Sequence, residues 1–161
     1  MSKLPELPED YRSQLAQIDE RQLLIMWHCS WYDGPLSGVI AYKDKPHWFE
    51  ILIQDDDLRS YADENGVTWL AWYRRYLILE LSEEQYQEEL YWNNLFREKV
   101  GTYWDYDEAG SRKKDGSFKP REMHFDFYNA AKNRRPRDFT NNVIIGWFER
   151  LWGHVEGDEP E

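Results

Sequence analysis

The chain reads as an α+β protein: a single domain built on a mainly antiparallel sheet of about five strands, with two or three helices packed on it. Three observations predict this. Between residues 23 and 81, apolar residues alternate with period two in runs separated by turn signals, the pattern of sequential antiparallel strands. At Ser82-Glu83-Glu84-Gln85 the pattern switches to helical spacing behind a capping sequence. The 161 residues contain no internal repeat, low-complexity tract or interdomain linker, and a chain of that length buries a core without help from disulfides or structural metal.

The first segment places Leu4, Leu7, Tyr11, Leu15 and Ile18 at spacings of three and four. Pro8 stands where a first helical turn tolerates proline, and Glu9 and Asp10 stand beside the positive end of the dipole, so a short amphipathic helix is expected from Pro8 to Ile18. Leu23 to Tyr32 then alternates as a strand, and Asp33-Gly34-Pro35 breaks it. Ser37 to Lys43 and His47 to Gln54 continue as strands around a turn at Lys43-Asp44-Lys45-Pro46, which makes a meander. The polar stretch Asp55 to Thr68, with Asn65-Gly66, is expected as a loop leading to a fourth strand, Trp69 to Leu81.

Ser82 caps a helix in which Tyr86, Leu90, Phe96 and Val100 lie along one side, with Trp92 at the margin and Gly101 as the stop. Thr102 to Pro120 is irregular, with Asp115-Gly116 as a tight-turn candidate. Met123, Phe125 and Phe127 alternate with His124, Asp126 and Tyr128, which predicts a fifth strand followed by an Arg-rich loop. Val143, Trp147 and Leu151, with Ile144, Phe148 and Trp152, fit a helix capped by Thr140 and stopped by Gly153. The run Val143-Ile144-Ile145 and the internal Gly146 also suit a strand, and helix is the expectation. The domain is expected to span 1–153, with 154–161 an acidic disordered tail.

Thirty-one acids against twenty basic residues give a net charge of −11, which opposes general attraction to nucleic acid or anionic lipid. The charge is uneven. Residues 112 to 138 hold nine Lys or Arg against four acids, leaving about −16 on the remainder. One cysteine, Cys29, and an N-terminal segment without a signal-like apolar core point to a reducing compartment, with the cytoplasm as the expectation. No apolar run is long enough for a membrane helix.

No motif names a reaction. His28 and Cys29 are adjacent, so on a regular strand they point to opposite faces. His28, His47 and His124 fall on three different predicted strands with no ligand or triad spacing. Asp55-Asp56-Asp57 with Asp63 and Glu64 lacks the calcium-loop pattern, and Glu83, Glu84, Glu88 and Glu89 are accounted for by capping and the outer face of a helix. Asp33-Gly34-Pro35-Leu36-Ser37-Gly38 is a turn rather than a phosphate loop. No catalytic residue, metal ligand or cofactor is therefore assigned.

The 27 aromatic residues, nine of them Trp, set in so charged a chain point instead to recognition of a partner. The interaction candidates are Trp31, Tyr32, Asp33, Trp72, Arg134, Arg135 and Arg137. The expected function is that of an acidic interaction protein for a basic protein partner, of the kind an immunity-type or anti-defence inhibitor represents. A small enzyme with a histidine-containing cleft is one alternative. A nucleic-acid binder acting through the basic segment 112–137 is the other.

Overall fold

The structure is a computed structural model that describes residues 2–31, 35–52, 57–101, 105–106, 112–113 and 119–154. Five antiparallel ribbons make one sheet. β1 (Leu23–Trp31), β2 (Pro35–Tyr42) and β3 (Lys45–Ile51) form the expected meander, and β5 (Thr68–Glu80) pairs with β3. The stretch expected as a loop contains a strand, β4 (Asp57–Ala62). It pairs with the first half of β5, from Tyr73 to Thr68, while β3 pairs with the second half. β3 and β4 thus run along one edge of β5 as a single interrupted ribbon. The polarity of residues 55–68 hid this, because a hairpin end facing solvent needs little apolar surface. Asn65-Gly66 supplies the turn, with Gly66 at φ +77° and its amide donating to Asp63 O at 3.0 Å.

The last segment is a strand, β8 (Ile144–His154), rather than the expected helix. It occupies the other edge of β5, from Leu79↔Ile144 to Ala71↔His154. Its β-branched start fits that ladder. Gly146 fits for a steric reason, since a Cβ there would lie 2.3 Å from Ala16 O. Met123–Tyr128, expected as a strand, belongs to helix α3 (Arg121–Ala131). The alternation misled because Met123, Phe127 and Ala131 also recur every four residues, and these three, with His124, are the half-buried ones, whereas Phe125 is exposed. Helix α2 (Glu83–Lys99) starts as expected. The Ser82 amide donates to Gln85 Oε1 at 2.9 Å and the Gln85 amide to Ser82 Oγ at 3.1 Å. It ends at Gly101, φ +82°. The two-residue strands β6 (Asp105–Tyr106) and β7 (Arg112–Lys113) pair with each other between α2 and α3.

The N-terminal helix α1 is only Tyr11–Gln14, not Pro8–Ile18. Leu15 turns extended, and residues 16–18 bond to the free edge of β8: Trp147 N donates to Ala16 O at 3.0 Å and Ile18 N to Trp147 O at 2.8 Å. The apolar spacing in this arm is real packing without helix. Leu4, Leu7 and Leu15 lie on one sheet face, Tyr11 meets the Trp147 ring edge-on, and Ile18 enters the other face.

This arm shows that the sheet coils. Strands spaced about 4.8 Å apart would put residues 16–18 roughly 24 Å from β1 if the sheet were flat. The five-residue step from Ile18 to Leu23 reaches at most roughly 18 Å. The concave face is filled by the sheet's own side chains and Ile18: Ile25, Ile40, Phe49, Tyr76, Ile78 and Phe148. Tyr76 stacks on Phe148 at 4.9 Å and its hydroxyl donates to Pro35 O at 2.7 Å. The convex face, with Val39, Trp48, Leu77 and Leu79, is covered by the N-terminal arm, Tyr86 of α2 and Phe139.

Candidate binding site

The convex face leads to the most developed site. Glu89 was expected on the outer, solvated side of α2, yet its side chain is 3 % exposed. Helical spacing contains the signal, because Glu89 lies three residues after Tyr86 and three before Trp92, on the packed side. A buried carboxylate requires compensation, and the loop after α3 supplies it. Arg134 Nη2 donates to both Glu89 oxygens, to Oε2 at 2.9 Å, and Arg137 Nε donates to both at 2.7 and 2.8 Å. The guanidinium of Arg134 lies over the Trp92 ring at 5.0 Å and that of Arg137 over Trp48 at 4.8 Å. Each cation is held between a carboxylate and an aromatic face.

The loop itself is fixed by the N-terminal arm, with Lys3 N donating to Arg137 O and Phe139 N to Lys3 O, both at 2.8 Å. Removing one member of such a buried cluster strands the others, typically at a cost of about 3–5 kcal/mol.

Above this cluster lies a pocket of about 290 Å³. β1 contributes Trp27, His28 and Cys29; α2 contributes Glu89, Trp92, Asn93 and Phe96; α3 contributes Phe127. Arg134 and Arg137 complete it. Trp27 stacks on Tyr86 at 6.2 Å, and Phe127 meets Trp92 and Phe96 edge-on, so its walls are interlocked rings. His28 and Cys29 both line it although regular alternation separates neighbours, because the β1–β2 register shifts between His28 and Ser30. Gly38 makes room for this, since a Cβ there would meet Trp27 O at 2.2 Å. No protein-family model, curated protein or solved structure matches this chain. The chemistry of the pocket rests on its own groups.

Those groups favour holding over reacting. Cys29 keeps surface open to solvent, but protein crowds its sulfur. That desolvation, eased only in part by Arg137, pushes the thiol up to about 12, the direction opposite to an activated nucleophile. The Glu89 oxygens are taken by guanidinium donors. His47 lies on β3 with Nδ1 2.9 Å from Lys45 O, and His124 is on a helix, α3, not a strand, with Nε2 2.9 Å from Lys119 O. Neither lines the pocket that holds His28. Among the described residues no group of three or more His, Cys, Asp or Glu is placed to hold a metal ion.

The interaction candidates are scattered. Arg134 and Arg137 face inward onto Glu89, and Arg135 is exposed beside a second cavity of about 240 Å³ behind the cluster. Trp72 is half-buried on β5, registered with Leu58 and Gly153. Trp31 ends β1, while Tyr32, Asp33, the Asp115-Gly116 turn and the tail beyond His154 lie outside the described residues. Among the described residues no helix is long and apolar enough to cross a membrane.

Sequence reasoning passed over the most exposed aromatics among the described residues. Tyr91 of α2 is 59 % exposed, and Phe125 and Tyr128 of α3 are 60 % and 53 % exposed. On the same two helices Glu83, Glu84, Glu88, Glu98, Glu122 and Asp126 are exposed, against exposed Arg97 and Arg121, with exposed Lys132 just past the end of α3.

Proposed function

We propose that this chain is a non-catalytic interaction protein whose α2–α3 face docks a basic protein partner. The observation that carries this reading is the exposure of Tyr91, Phe125 and Tyr128 on two adjacent helices whose exposed charged residues are mostly carboxylates. Tyrosine and phenylalanine supply large contact area at small entropy cost, and the acidic surround steers a cationic partner and rejects acidic ones. The net charge of −11 acts in the same direction at longer range.

The test is capture from native lysate, with and without nuclease, on the immobilised chain and on a Tyr91→Ala/Phe125→Ser/Tyr128→Ala variant. The expected result is one stoichiometric basic protein that survives nuclease and binds the variant at least about tenfold more weakly, the loss of a hot spot. The variant's melting temperature should stay near that of the parent, since these side chains are exposed. Equal retention by both chains removes this face from the function. Retention that vanishes with nuclease transfers the function to the exposed cations of the basic segment.

A further inference from the structure

We infer that the pocket over Glu89 binds a small aromatic carboxylate, at a site separate from the α2–α3 docking face. Two features of the pocket define its complement. Its walls are the rings of Trp27, Trp92, Phe96 and Phe127, which select a flat apolar body. Among the lining groups two guanidinium charges face one carboxylate, an excess of one positive charge in a largely desolvated place that Glu50, outside the lining, offsets only from a distance.

The hydrogen-bond inventory has the same polarity. All four bonds that Arg134 and Arg137 make to Glu89 occupy the carboxylate oxygens, so the floor has donors to spare and its one strong acceptor is taken. Arg134 Nε is buried with no acceptor. Trp27 Nε1 is buried with no oxygen or nitrogen acceptor, and the neighbouring Cys29 sulfur is a weak one. Buried donors left unmatched are costly, and an entering carboxylate matches them while balancing the excess charge.

The size limits the ligand. At about 290 Å³ the pocket sits at the lower end of the range for small-molecule sites, which suits one or two fused rings. A bare phosphate would leave the aromatic walls uncovered, and a neutral ring would leave the donors unmatched.

The probe is 2-naphthoate, titrated calorimetrically into the full chain alongside the isosteric neutral 2-naphthamide. The expected result is saturable one-to-one binding of naphthoate, with naphthamide at least about tenfold weaker, the value of a charge-assisted hydrogen bond. Asn93→Trp, which fills the pocket and leaves the ion cluster intact, should abolish the binding. Arg134→Lys, which keeps the charge opposite Glu89 but removes Nε, should weaken it about fivefold or more and serves if Asn93→Trp does not fold. The Tyr91/Phe125/Tyr128 variant should bind naphthoate like the parent, so this site and the docking face fail separately. No saturable heat up to about 10 mM, equal affinity for acid and amide, or undiminished binding in the pocket variants overturns the assignment.

Discussion

Glu50 lies on β3 with Trp48 Nε1 donating to its Oε1 at 3.2 Å. Burial raises its carboxyl above the ordinary 4.5, against smaller opposing effects of the Trp48 bond and Arg137. The folded protein therefore holds this proton more tightly than the unfolded chain. The penalty is absent below the ordinary value, grows as pH rises through the window up to the folded value, and is complete above it. Glu50→Gln keeps the acceptor for Trp48 and removes the charge. Denaturant midpoints should show the variant more stable than the parent at pH 7, with the difference closing toward about pH 3.5. A variant less stable at pH 7 contradicts the assignment. At this scale much was legible in principle: helical spacing places Glu89 on the packed side of α2. Opposite charge relates the Arg-rich loop to the acidic helix, but which residues pair was not legible, because Arg134 and Arg137 lie 45 and 48 residues away and nothing local ties a loop to a helix.

Among the elements, the β2–β3 turn carries residual strain. Lys43 and Asp44 adopt φ +50° and +62° between the paired Tyr42 and Lys45, a two-residue turn of the kind that favours glycine. Asp44→Gly relieves a left-handed side chain at some entropic cost. A net gain of about 0.5–1 kcal/mol is expected, read as a melting temperature about 2–3 °C higher.

The elements that sequence identified well share a property. The β1–β3 meander, β5 and the α2 cap are each specified by residues within the element or its turn. β8 and α3 were misassigned because their apolar patterns admit two periods, and tertiary partners choose between them. For β8 the choice is made by the vacant edge of β5; for Phe127 it is made by the rings of Trp92 and Phe96. β4 was missed because its sequence lacks apolar alternation, and the backbone ladder to β5 that defines it leaves no mark in residue type.

The whole molecule is closed by the contact between residues 16–18 and β8, which covers an edge otherwise open to pairing with another chain. Gly146→Val places atoms against Ala16 O and should pry this contact apart. A loss of about 1–3 kcal/mol is expected, with faster hydrogen exchange at the Ile18 and Trp147 amides and a greater tendency to aggregate on heating. Unchanged exchange at those two amides would mean that the edge is held by something else. The α+β class and the main antiparallel sheet were legible from period and turns, whereas the coil of the sheet was not, since it depends on a pairing between residues about 130 positions apart.

That same pairing has a consequence in time. A ribosome delivers β1 to β5 long before it delivers residue 147, so the meander emerges with neither its β8 neighbour nor a seat for Ile18. The arm from Lys3 to Ile18, made before every strand it docks on, is among the last parts able to settle, and Arg137 and Phe139 must also arrive before Lys3 has its partners. The native state is reached only once residue 147 has emerged, and until then the nascent chain carries an unsealed sheet.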